Sequence, residues 1–248
     1  MDERSSYIEL YHLAENDKSR VSVVKDASSG EVYCRKVLNI YDRSVYEYLK
    51  SHPDPHIPHI FDLQEEDGKL TVLEEMLHGQ SLDYVSENGL SRTRRFEVLM
   101  EVCDALIFLH CAGPLPIIHR DLKPANVFLT DDGRVMLTDY DAAKIFSPGK
   151  TKDTVLIGTQ GIAAPEQYGF AQSDTRTDVY ALGMLVKYLF PGDYRLGKVA
   201  DRATEIAPKD RYGSVSEMKQ ALSAARPGGF FSNFFLGRMK QEENPEKE

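Results

Sequence analysis

The stretch His119-Arg120-Asp121-Leu122-Lys123-Pro124-Ala125-Asn126 sets a carboxylate, an ammonium and an amide within one loop, and Asp139-Tyr140-Asp141 follows a short hairpin. Groups of these types at these spacings suit one kind of chemistry, the movement of a phosphoryl group from a Mg-bound nucleotide to a hydroxyl. In that reaction the protein mainly positions the reactants and neutralises charge. Val127-Phe128-Leu129 and Val135-Met136-Leu137, on either side of Asp132-Gly133, read as the tight hairpin that returns Asp139 beside Asn126.

The rest of the chain must hold those groups still. A chain of 248 residues, 42% of them hydrophobic, can bury a full core as one large domain or two lobes sharing a cleft. A formal charge of -9 is the wrong sign for a chain whose main partner is nucleic acid or an anionic membrane. Cys34, Cys103 and Cys111 fit neither a disulfide framework nor a paired-cysteine zinc site, which points to a reducing, cytoplasmic setting. No basic-then-apolar leader precedes Tyr7, and no apolar run approaches the roughly 20 residues of a membrane-spanning helix.

The first third reads as strands. Val21, Val23 and then Val32, Tyr33 and Cys34 flank the turn Ser28-Ser29-Gly30-Glu31, and Asp67-Gly68 separates residues 57–63 from 70–73. Residues 42–51 leave room for a short helix before Pro53, Pro55 and Pro58 end it. Beyond residue 77 the pattern turns helical. Leu82 to Glu87 is a short amphipathic piece. Phe96, Leu99, Met100, Cys103, Leu106, Ile107 and His110 recur at three- and four-residue spacing behind an N-capping Ser91, and Gly113-Pro114 stops the run. Further helices are expected from Asp178 to Phe190, from Val199 to Ile206 and from Ser214 to Ala225.

The loop and hairpin resemble the catalytic and metal-binding loops of the eukaryotic-type protein kinases, in a compact, bacterial-like form. That resemblance implies an α+β, two-lobed fold: a small antiparallel β lobe (1–77) that binds nucleotide, a larger mostly helical catalytic lobe (78–226), and an aromatic then charged tail (227–248). It implies that Asp121 accepts or orients the proton of the attacking hydroxyl and that Lys123 neutralises the transferring phosphoryl group. Asn126 and Asp139 would hold Mg (or Mn). Lys36 would meet the α- and β-phosphates of ATP, held by Glu47 from the short helix. Adenine would bind through main-chain groups near Glu75 and Leu77, with Val21, Cys34 and Phe128 also counted with the nucleotide-binding residues. Glu166 would pair with Arg211, Thr159 would bridge Asp121 and Lys123, and Asp178 would tie its helix to the catalytic loop. The lysine in His-Arg-Asp-Leu-Lys-Pro resembles the Ser/Thr-directed subgroup.

Three departures stand out. Ala14, Asn16 and Ser19 occupy the positions where the family carries phosphate-covering glycines, so Lys18 and Arg20 are the candidates for direct charge pairing. Glu74 takes the place at the back of the adenine pocket that is usually apolar or hydroxylic, and as a buried carboxylate it should pair with Lys36 or Arg35. Asp141 replaces the glycine of Asp-Phe-Gly, which would favour one held conformation over toggling. The resemblance thus implies a Ser/Thr protein kinase with a protein substrate, using ATP and Mg, with Ser147, Thr151 and Thr154 as candidate autophosphorylation sites. The alternatives are a pseudokinase acting as a nucleotide-binding or scaffold module, and a small-molecule kinase of the same fold. The aromatic tail Phe230-Phe231-Ser232-Asn233-Phe234-Phe235-Leu236 is expected to dock on the protein's own surface, with a partner or a membrane as the alternatives.

Overall fold

The computed structural model describes residues 7–87, 89–149, 159, 161–169 and 171–226. Alternating Val, Tyr and Cys residues build a five-stranded antiparallel sheet from β1 (Tyr7–Glu15), β2 (Ser19–Asp26), β3 (Val32–Leu38), β4 (Ile60–Glu66) and β5 (Lys69–Glu75), in the order β1-β2-β3-β5-β4. The β2–β3 turn is fixed by Asp26, whose Oδ1 accepts from the Ser28 and Ser29 amides. The β4–β5 turn has positive φ at Asp67 and Gly68, 50° and 72°, the pair of left-handed residues a two-residue hairpin requires. Strand β4 begins at Ile60, later than the expected Ile57, because Pro58 cannot donate to a ladder. Strand β1 was not signalled by the sequence pattern. Ile8, Leu10, Tyr11 and Leu13 are exposed along it, and the register shifts twice against β2.

Helix α1 (Arg43–Ser51) crosses between β3 and β4, capped by the Asp42 carboxylate on the Ser44 amide. It turns Val45, Tyr46 and Leu49 inward. The helical lobe begins with β6 (Gly79–Ser81) and α2 (Leu82–Glu87) and centres on α3 (Arg92–His110), whose Ser91 cap accepts from the Arg94 amide. Strand β7 (Ile117–Ile118) leads into the catalytic-type loop. The hairpin β8 (Val127–Thr130) and β9 (Val135–Leu137) follows, in the order β6-β8-β9, and β10 (Lys144–Ile145) pairs back with β7. Gly79, at φ 147°, lies so close to β8 that a Cβ would sit 2.1 Å from the Leu129 carbonyl oxygen, so only glycine lets β6 join that sheet.

Helix α4 (Thr175–Leu189) starts one turn before the expected Asp178, because Asp174 caps it through the Arg176 amide. Helix α5 (Tyr194–Ala203) likewise starts before the expected Val199, because Asp193 accepts from the Arg195 and Leu196 amides. Only residues 190–193 link the two. Helix α6 (Val215–Ala225) carries its expected Ser214 cap and buries Met218 and Leu222. One apolar core runs from Leu38 and Leu70 of the sheet through Leu99 and Leu106 of α3 to Leu182 of α4 and Leu222 of α6, which fixes the sheet over the loops that carry the polar groups.

Candidate active site

Asp121 stands at the centre of a small network. Its Oδ1 accepts from Thr159 Oγ1 at 2.8 Å, and its Oδ2 accepts from Lys123 Nζ at 2.7 Å and from Asn126 Nδ2 at 3.1 Å. Lys123 also reaches the Thr159 hydroxyl at 3.2 Å, so Thr159 bridges the two charged groups. The carboxylate is thereby aimed by donors on two sides and remains partly open to solvent, the condition for meeting an incoming hydroxyl. The hairpin β8–β9 brings Asp139 back to the same cleft, where the Asn126 carbonyl accepts from the Thr138 amide at 2.9 Å.

The frame beneath is buried and fully bonded. Asp178, at the start of α4, accepts the backbone amides of His119 and Arg120, each at 2.9 Å, and meets His110 Nε2 at 2.9 Å. Burial acts to raise its pKa, yet the hydrogen bond and charge of His110, the charge of His119 and the Arg120 amide hold the carboxyl below its usual range. Arg120 adopts φ 66° and sends Nε to the Ala142 carbonyl at 2.6 Å, which ties the loop to the segment after Asp139. Glu166 and Arg211 form a two-pronged ion pair at 2.7 and 2.9 Å, with side chains 4% and 0% exposed, and Thr177 donates to the same carboxylate. Sequence reasoning missed Gln167, whose Nε2 holds the Arg120 carbonyl at 2.7 Å while its Oε1 takes the Ala164 amide. A lone Gln in a loop carries no signal of such a role.

A loop framed by this ion pair and by this aspartate cap agrees with the kinase resemblance, and a family model covering most of the chain decides the kinship. The chain belongs to the protein kinase domain family. The family's model, described as protein kinase domain, matches residues 7–223. Among curated relatives, the chain is 30% identical over 219 residues to serine/threonine-protein kinase D of Synechocystis sp., covering 76% of this chain and 42% of that protein. It is 31% identical over 164 residues to the probable serine/threonine-protein kinase PknB of Lactococcus lactis, covering 65% and 25%. It is also 29% identical over 188 residues to wall-associated receptor kinase 1 of Arabidopsis thaliana, covering 73% and 25%. The chain therefore spans less than half the length of the curated relatives it matches.

Above the loop, this kinase-family chain departs from the expected arrangement. Lys36 Nζ lies 2.7 Å from Glu74 Oε1, with the two side chains 13% and 9% exposed. Burial acts to lower the lysine's pKa, but the charge of Glu74, with Cys34 and Asp139 adding to it, raises it above the usual value. The expected Lys36–Glu47 pair is not formed. Glu47 lies on the solvent face of α1 and bonds Arg43 at 2.8 Å, one turn away, because the helix turns its neighbour Tyr46 inward instead. Arg35, pointing to the opposite face of β3, goes to Glu9 at 2.5 Å, which leaves Glu74 to Lys36 alone.

Tyr140 fills the aromatic slot against His119, ring centroids 5.2 Å apart, and its hydroxyl donates to the Leu137 carbonyl at 2.8 Å. Asp141 faces the cleft and accepts from the Tyr46 hydroxyl at 3.2 Å. Burial, then the charge of Asp139, pushes its carboxyl up to about 7. Cys34 is buried, its thiol pushed up to about 12 by burial and by Glu74, so it packs and does not react. Val21 lies partly buried on β2, opposite Lys36 of β3. Glu75 ends β5 and Leu77 follows it, where the two lobes join. The Glu75 amide donates to the His59 carbonyl at 2.8 Å, and its carboxylate pairs with Arg134 at 2.9 Å. Phe128, partly buried on β8, pairs with Ser81 of β6.

The β1–β2 turn hangs over the loop. Asn16, Lys18 and Ser19 line one cavity of about 150 Å³ with Asp121, Lys123, Asp139, Asp141 and Thr159. Asn16 Oδ1 accepts the Lys18 and Ser19 amides at 2.8 and 3.0 Å. Those are amides a glycine loop would offer to phosphate, and here the turn consumes them itself. Arg20 is paired with Glu9 at 2.8 Å, so of the two candidate cations only Lys18 faces the cavity. Of the candidate autophosphorylation sites, Thr151 and Thr154 lie outside the described residues, as does the tail from residue 227.

The oxygen donors Asp139 and Asp141 that line the cavity, with Asn126 bonded to Asp121 next to it, suit Mg. Asn126 spends its amide hydrogens on Asp121, at 2.8 Å to the carbonyl and 3.1 Å to the carboxylate, so its remaining oxygen is purely an acceptor. Asp139 adds a carboxylate beside a second, Asp141, whose repulsion a divalent cation would relieve. One or two hard oxygens from protein, completed by phosphates and water, is how Mg is usually held in such sites.

Proposed function

We propose that the chain is a serine/threonine protein kinase that transfers the γ-phosphoryl group of ATP to protein hydroxyls. The observation that carries this reading is the Asp121–Lys123–Thr159–Asn126 network facing a cavity that also holds Asp139. Relatives named as serine/threonine-protein kinases support the acceptor class. ATP lies with its adenine near Glu75 and Leu77, between the Val21 and Cys34 side and the Phe128 side, and with its phosphates toward Lys36. Asn126 and Asp139 are the residues that would hold Mg, which when bound neutralises charge on the phosphates.

The chain's own residues then do the following. Asp121, held by Thr159 and Asn126, accepts the hydrogen bond of the acceptor hydroxyl and aims its oxygen at the γ-phosphorus. Lys123 Nζ, 2.7 Å from Asp121, stands ready to neutralise the phosphoryl oxygens as charge develops. Lys36 orients the α- and β-phosphates. The overhanging β1–β2 turn limits water at the phosphate end. The small lobe, residues 1–77, carries the nucleotide, and 78–226 carries the chemistry. The three thiols are free, as a cytoplasmic kinase would keep them, and among the described residues no helix is long and apolar enough to cross a membrane. Nothing observed favours the scaffold alternative.

The test is incubation with Mg and γ-labelled ATP beside a basic protein acceptor, followed by acid hydrolysis. Phosphoserine or phosphothreonine is expected. Label found only on small metabolites would replace this reading with a small-molecule kinase, and no label on any acceptor would refute it.

A further inference from the structure

The lysine clamp of this chain is built inside one sheet. Lys36 sits opposite Val72 across the β3–β5 ladder, and Glu74 is two residues on, so both side chains project from the same face at diagonal-neighbour distance. Their 2.7 Å contact is therefore carried by paired strands at both ends. Among the described residues, no α1 side chain forms a hydrogen bond or ion pair with either group. The helix bonds elsewhere: Tyr46 to the Asp141 carboxylate at 3.2 Å, and Asp42 to the Ile145 amide at 3.2 Å, both beyond Asp139. Tyr46 is itself buried, and burial first, then the charges of Asp141, Glu74 and Asp139, raise its pKa.

From this arrangement we infer that Glu74 is the positioning residue for Lys36, so that the phosphate-binding ammonium stays in place whatever α1 does. The inference rests on the kinase reading. If it holds, displacing α1 does not disarm the lysine, and what α1 controls is the Asp141 segment through Tyr46. A partner that regulates this chain by moving α1 would then act on that segment and not on the nucleotide clamp.

Steady-state kinetics with Mg-ATP and a basic acceptor test the point in the full chain. Glu74→Gln, which keeps the shape and removes the charge, is expected to raise KM for ATP at least about tenfold while KM for the acceptor moves less than about twofold. Glu47→Ala is expected to leave both constants within about twofold. If Glu74→Gln melts at the assay temperature, Glu74→Asp serves instead, since it keeps the charge and withdraws it by one methylene. In the background Glu74→Leu, adding Tyr46→Glu supplies a carboxylate from the helix and is expected to restore ATP affinity in part.

A tenfold effect from Glu47→Ala with none from the Glu74 variants overturns the inference, as does Glu74→Met binding nucleotide more tightly and melting higher than the wild type. A wild type that transfers no phosphoryl group at all refutes the kinase reading, and nucleotide binding, followed by thermal shift with ATP, then tests Glu74 by itself.

Discussion

The loop below the cleft and the sheet above it solve the same problem with different degrees of redundancy. Below, Asp121 has three donors, the loop backbone has Asp178 and Gln167, and the far wall has the Glu166–Arg211 pair, so the loop around Asp121 is fixed by several buried or part-buried bonds. Above, one ion pair holds Lys36 and one self-bonded turn overhangs the cavity. The lower region is a network whose parts constrain one another, whereas the upper region has few parts, and those parts have been exchanged. A frame of many interlocking bonds tolerates little substitution, while a single charge pair can be rebuilt from a neighbouring strand as long as the ammonium ends in the same place.

The largest effect that would break this comparison lies in the frame. Arg211→Met strands the buried Glu166 carboxylate, and removing one partner of a buried pair costs roughly 3–5 kcal/mol. Denaturant unfolding should show a loss of that order, and a loss under about 1 kcal/mol would mean the lower network is not interlocked. Thr159→Val comes next, deleting the hydroxyl that bridges Asp121 and Lys123. A hydrogen bond to a charged group is worth about 1.5 kcal/mol or more, so kcat should fall about tenfold with the fold intact. The smallest effect belongs to the covering turn. Lys18→Ala removes an exposed charge, worth less than about 1 kcal/mol, and should raise KM for ATP only a few-fold. A loss of a hundredfold there would show that the turn, and not the loop, carries phosphate recognition.

Much of the lower region could be read directly from residue order. The His119 to Asn126 run and the matched β8–β9 hairpin need only local spacing, whereas the pairings of Glu166 with Arg211 and of Asp178 with the loop join residues 45 and 58 positions apart and were expected from the kinase resemblance alone. Helix starts were misplaced where Asp174 and Asp193 cap earlier than the apolar period suggests, because a cap overrides periodicity at the first turn. Strand β1 escaped notice because its apolar residues face water. Glu47 misled for a geometric reason. Counting along the chain places a glutamate on the right helix, but only rotation about the helix axis decides that Tyr46 turns inward and Glu47 outward. Glu74 could be recognised as a buried carboxylate in need of a cation, and choosing Lys36 over Arg35 required knowing which face of β3 each side chain takes.

The most direct test of the whole account is the rate of γ-phosphoryl transfer from Mg-ATP to a basic acceptor by the wild type and by Asp121→Asn, measured side by side with ATP affinity. Loss of a positioned general base is worth about 100-fold or more, so the variant should bind ATP like the wild type yet transfer at least about a hundredfold more slowly. Equal rates in the two proteins, or transfer by neither while both bind ATP, would contradict it.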